Sequence, residues 1–189
     1  MRQSLATVLA GAVLPVTLRA QPAANPSSAP RAEPPAEVKA ELAEARLRGS
    51  ATMRWLGLQI YDVRLWSPTA LVGADWTGQA LALELQYARA LDGQRIAERS
   101  ISEMRRIGPF DDARAARWQA EMGRLFPDVK AGDRLTGLHR PGAGTRFFHN
   151  GQARGVVADT DFAPLFFGIW LSPRTSEPGL RRQLLGDAA

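Results

Sequence analysis

Hydrophobic and polar positions change period several times along the chain, and each change marks an element. "ALALELQYA" alternates strictly, with Leu81, Leu83, Leu85 and Tyr87 on one side and Glu84 and Gln86 on the other, which predicts a half-buried strand. Residues 53–66, "MRWLGLQIYDVRLW", are dense in β-formers and predict one long strand, or two with a bend or bulge at Gly57. After the Asp92-Gly93 turn the period lengthens to that of a helix reaching about Ile107. Ala97, Ile101 and Met104 form its apolar stripe, and Arg95, Arg99 and Arg106 lie largely outside it. A second helix, capped by Asp111 or Asp112, carries Ala115, Trp118, Met122 and Leu125 and ends before Pro127. "RLTGLHR" and "TRFFHNGQARGVVA" predict further strands, and Asn150-Gly151 predicts a two-residue hairpin turn, because both residues tolerate positive φ.

"FAPLFFGIWL", residues 162–171, is apolar on nearly every side. Thr160 or Asp161 can cap it as a helix, with Pro164 tolerated in its first turn. Ten helical residues cover about 15 Å, half of a hydrocarbon core of about 30 Å, so this helix is expected to be buried in protein. A last helix from Pro178 to Leu185 closes at Gly186. Antiparallel strands with helices inserted in pairs, and no repeating strand-helix-strand unit, indicate an α+β fold: a large antiparallel sheet with a layer of helices on one face.

The N-terminus follows other rules. Residues 1–20 combine Arg2, an apolar run of about 15 residues and a small-residue site at Ala20, which reads as a cleaved secretory signal; a span needs roughly 20. Residues 21–40 are rich in Pro and Ala and are expected to form a mobile tether, leaving 41–189 as the folded domain. Removing Arg2 and Arg19 lowers the formal net charge of +5 by two, a mild excess interrupted by Glu98, Glu103 and Glu121, so nucleic acid is not an expected partner. The chain has no cysteine, which excludes a disulfide framework and thiol catalysis. An exported protein of a Gram-negative periplasm without stable membrane insertion is the expectation; protein partners and oligomeric state are unassigned.

Little in the sequence points to catalysis. "GAGTRFF" lacks the spacing and Lys of a phosphate loop, and His139 and His149, the only histidines, are too few for a His-based metal site, so no metal or cofactor is expected. No serine elbow is present. Glu98 and Glu103 stand five apart among arginines and read as a solvated surface. The first strand is more informative, carrying Arg48, Arg54, Tyr61 and Arg64. Arg54 alternates in phase with Leu56 and Leu58, an odd place for a guanidinium without an anionic partner. A guanidinium fork with a phenol makes a carboxylate clamp, and pairing of Arg54 with a structural acid is the competing reading.

"LRGSATMRWLGLQIYDVRLW", "LELQYARALDGQRIAERSISEM", "MGRLFPDVKAGDRLTGL", "FFHNGQARGVVADTDFAPLFFGIWLSP" and "LRRQLLG" resemble the bacterial exported branch of the chalcone isomerase-like superfamily, from about Leu42 to Gly186. The resemblance implies an open-faced β-sandwich with a ligand cleft between sheet and helices. Within that superfamily some members close a flavanone ring, and others bind fatty acids through an Arg and a Tyr. The enzyme-type Tyr after a Gly-Gln pair is replaced by Ile96 here, which removes a donor from the site of developing enolate charge. Tyr61 stands as in the fatty-acid-binding members, and the family Arg is Arg48 or Arg54. The expected function is therefore non-catalytic binding of a small amphipathic acid such as a fatty acid, by Arg54, Tyr61, Arg48, Tyr87, Phe166 and Trp170. The alternatives are an intramolecular lyase using Tyr61 or Tyr87, and an interaction module with a filled core.

Overall fold

The computed structural model describes residues 32–71 and 75–186. The expected signal and most of the expected tether lie outside them. Six strands form one sheet in sequence order: β1 Arg46–Trp55, β2 Leu58–Ser67, β3 Leu81–Tyr87, β4 Arg134–His139, β5 Thr145–His149 and β6 Gln152–Val157. Every neighbouring pair is antiparallel. The helices are α1 Ala36–Glu41, α2 Gly93–Ile107, α3 Asp112–Leu125, α4 Phe162–Leu171 and α5 Pro178–Leu185.

Local signals explain most boundaries. The Asp92 carboxylate accepts the Arg95 N–H at the start of α2, and the Asp111 carboxylate accepts the Arg114 N–H at the start of α3. Such caps contribute about 1 kcal/mol each. The predicted stripes are buried: Ala97, Ile101 and Met104 on α2, and Ala115, Trp118, Met122 and Leu125 on α3. α4 is covered as its composition requires, and Gly168 allows it to touch α2, since a Cβ there would lie 2.6 Å from Ile107 Cγ2.

Three expectations need correction. The segment around Gly57 is two strands, the second of the two readings, but they meet at a chain reversal and not at a bend or bulge. Leu56 and Gly57 both take positive φ, 49° and 80°, and reverse the chain in a two-residue turn. Such turns normally use Asn, Asp or Gly at the first position, so Leu56 concealed the hairpin, at a conformational cost of about 1 kcal/mol. The register shift lies instead between Met53 and Arg54, so that Met53 faces Tyr61 and Arg54 faces Gln59.

Residues 36–40, assigned to the tether, form α1 together with Glu41, and this helix packs Val38 and Leu42 with Trp66, Ala82, Leu138 and Phe148 on the sheet face opposite α2 to α5. β3 is consequently buried on both faces. Glu84, expected at the solvent, is 2% exposed and accepts from Trp66 Nε1 at 2.9 Å, Arg64 Nη1 at 3.1 Å and Arg134 Nη1 at 3.2 Å. Burying a carboxylate is tolerable because three donors replace its water.

Candidate functional site: a cavity at the hairpin end of the sheet

The main core fills the space between the sheet and the helices with an aromatic chain. Trp118 meets Phe162 edge-on at 5.6 Å, Phe162 stacks on Phe166 at 5.1 Å, and Phe166 meets Phe147 at 5.2 Å. Gly137 on β4 makes room for this layer, since a Cβ there would lie 3.2 Å from the Phe147 ring.

Toward the β1–β2 turn the filling stops and a cavity of about 370 Å³ opens. Its floor is Leu83, Leu85, Tyr87, Tyr61 and Met53 from the sheet, and its roof comes from α2 and the C-terminal half of α4. Among the lining residues Trp55, Arg95, Arg99 and Ser176 are exposed, so they form the rim.

The structure separates the residues singled out from sequence into two groups. Tyr61, Tyr87, Phe166 and Trp170 all line the cavity. Arg48 and Arg54 do not. Arg48 is committed to the backbone, its Nε donating to Ser67 O at 2.9 Å and its Nη2 to Pro68 O. Arg54 is exposed: it lies in β1 between Met53 and Trp55, which face the cavity, and strand alternation points it to the other side. Both arginines are therefore corrected out of the cavity wall.

The cations of the wall come from α2. Arg95, Ile96, Arg99, Ser100 and Glu103 form one stripe along the helix, at i, i+1, i+4, i+5 and i+8. Arg99 Nη2 lies 2.6 Å from Glu103 Oε1, an ion contact without hydrogen-bond alignment. Glu103 Oε2 accepts from Ser176 Oγ at 2.9 Å. Glu103 is thus a buried, partnered carboxylate and not the solvated group expected, whereas Glu98 is exposed. The Arg95 guanidinium has no hydrogen-bond or ion-pair partner among the described residues. The signal that could have located this face was Ile96, an apolar residue on a turn otherwise marked by arginines.

The two phenols differ in what they offer. Tyr61 Oη accepts from Trp170 Nε1 at 3.0 Å, leaving its own proton available. Burial pushes its pKa up to about 12, with nearby Glu177 and Glu103 adding to the rise and the Trp170 bond opposing it. Tyr87 packs edge-on against Tyr61 at 5.9 Å, and its hydroxyl has no partner among the described residues. Burial raises its pKa further, with Tyr61 contributing. Near neutral pH both are protonated, hence hydrogen-bond donors and not phenolate bases. Among the described residues no group of three or more His, Asp or Glu is placed to hold a metal ion.

Comparison with known proteins agrees with this architecture. A Haemophilus influenzae protein of uncharacterised function is 29% identical over 138 residues, covering 73% of this chain and 66% of the relative, just under two thirds of its length. The crystal structure of an Arabidopsis thaliana fatty-acid binding protein superimposes with a TM-score of 0.60 at 13% identity, over 77% of this chain and 89% of that one. At that identity the likeness shows the fold alone. The chalcone isomerase-like family model matches residues 31–186, so the chain belongs to the chalcone isomerase-like family.

Proposed function

We propose that the protein is a non-catalytic carrier or sensor of a small amphipathic acid, with the apolar tail in the cavity and the acid group held at Arg95 and Tyr87. The observation that carries this reading is the Tyr87 hydroxyl, which belongs to a cavity-lining residue and has no hydrogen-bond partner among the described residues. A ligand oxygen supplies the missing acceptor. Arg95, on the rim without a partner among the described residues, supplies the charge. The volume of about 370 Å³ lies within the usual range for small-molecule sites. A fatty acid fits this chemistry, and the fatty-acid binding activity named for the Arabidopsis structural neighbour supports the class of ligand.

A lyase reading is less well supported. It needs donors at a developing enolate, and the position that resembles the enzyme's Tyr is Ile96, a half-buried aliphatic wall residue. We also propose export, on the pattern of residues 1–20; N-terminal sequencing of protein recovered from a periplasmic extract should begin at Gln21.

Calorimetric titration of delipidated protein with palmitate tests the binding reading. Arg95→Ala should weaken affinity at least tenfold, about 1.4 kcal/mol. Arg54→Ala should leave it unchanged. Wild-type affinity in Arg95→Ala, or loss in Arg54→Ala, would refute this placement of the acid.

A further inference from the structure

Three of the four large hydrophobic side chains exposed among the described residues sit together on the β1–β2 turn: Trp55 is 56% exposed, Leu56 87% and Leu58 55%. A Cβ on Gly57 would meet nothing within 4 Å, so the apex of the turn is open. Leu56 also holds a left-handed backbone that Asn or Gly would adopt more readily. Exposure and backbone strain at one residue, with no compensating contact, point to a role outside the fold.

The surroundings specify the partner. Arg54 adjoins the tip in β1, and Arg89 follows Ala88, whose N–H bonds Ile60 O at 2.9 Å beside the turn. Arg54, Arg89 and Arg95 have no ion-pair partner among the described residues. The nearby acids are otherwise occupied: Asp62 Oδ1 accepts from Thr52 and Gln59, and Asp92 caps α2. Trp55 belongs both to the tip and to the cavity rim, so whatever receives the tip also faces the opening.

We propose that this hairpin tip docks the protein on an anionic lipid bilayer, with Leu56 and Leu58 among the upper acyl chains, Trp55 at the interface and the arginines on the headgroups. A two-residue convex turn is too small for the roughly 800 Å² per partner of a stable protein interface. Tryptophan beside unpaired cations suits the boundary between headgroups and hydrocarbon. Docking needs no spanning segment; no described helix is long and apolar enough to cross a membrane.

Co-sedimentation of the mature chain, residues 21–189, with vesicles tests this. Binding to equimolar phosphatidylcholine and phosphatidylglycerol should exceed binding to pure phosphatidylcholine at least tenfold and weaken with salt. Leu56→Asn with Leu58→Thr should lower it at least tenfold. Asn suits the turn, so the thermal midpoint should not fall, and neither residue lines the cavity, so palmitate affinity in solution should not change. Arg54→Gln with Arg89→Gln should lower vesicle binding severalfold and flatten its salt dependence. Wild-type protein indifferent to both vesicles, or a tip variant that binds as wild type, overturns the proposal. So does self-association in solution that the tip variant abolishes while vesicle binding stays absent. None of these results depends on the cavity ligand, which the palmitate titration reads separately.

Discussion

At one end of the sheet-helix interface Trp118 meets Phe162 edge-on with both rings fully buried; at the other, Tyr61 meets Tyr87 edge-on beside a cavity of about 370 Å³. Both ends lie between the same sheet and the same layer of helices. They differ in what the helices present. α3 and the start of α4 bring Trp118, Met122 and Phe162, whereas the cavity-facing stripe of α2 brings Arg95, Ile96, Arg99, Ser100 and Glu103. Phe126, Phe147 and Phe166 stand between the two as a partition. Protein interiors close on voids unless something rigid prevents it. Here the aromatic partition and the Glu103 contacts to Arg99 and Ser176 keep the hollow end open. The hollow is therefore a property of the fold and not a local failure of packing.

The largest expected break in this comparison is Phe162→Ala at the filled end. The ring touches Trp118, Phe147 and Phe166, and its loss should cost about 3 to 5 kcal/mol in urea unfolding. At the hollow end Ile96→Trp places volume into space already open. Its stability should change by less than about 1.5 kcal/mol while palmitate affinity falls at least tenfold. Equal destabilisation by the two substitutions would erase the distinction between the ends.

Alkaline titration reads the hollow end alone, because the chain has only two tyrosines and both line the cavity. Unfolded tyrosines ionise near about 10. Burial holds Tyr61 near about 12 and raises Tyr87 as well, so the folded state keeps protons that the unfolded state releases. Stability should be intact below pH about 10 and fall as pH rises toward about 12. Native tyrosinate absorbance should lag the denatured curve, and coincident curves would mean the phenols face water.

The smallest effect should be Tyr87→Phe. Its hydroxyl has no partner among the described residues, so stability without ligand should shift by less than about 0.5 kcal/mol while palmitate affinity falls severalfold.

Much of the architecture was legible in the sequence because it depends on local periods. The stripes of α2 and α3, the Asn150-Gly151 turn and the all-apolar α4 were read from spacing alone. The hairpin at Leu56-Gly57 was hidden by a leucine where turn chemistry calls for Asn or Gly, and that reversal ends the phase that grouped Arg54 with Leu56 and Leu58. Strict alternation cannot anticipate a register shift between Met53 and Arg54. α1 escaped notice because six residues give too short a period, and its apolar contacts are long-range, with Trp66, Leu138 and Phe148. Tyr87 was picked out by its strand's alternation and Phe166 and Trp170 by the all-apolar α4, whereas Tyr61 came from its place on the first strand and from the family resemblance. Arg95 was not, because an arginine beside a core stripe is the ordinary appearance of a solvated helix.

The central claim is that an acyl chain enters the hollow end. Intermolecular nuclear Overhauser contacts between a labelled palmitate and the protein's methyl groups test it most directly. The account predicts contacts from the chain to Leu83, Leu85, Ile96 and Ile169, inside the cavity. Contacts confined to Leu56 and Leu58 on the surface turn, or none to the cavity methyls at saturation, would contradict it.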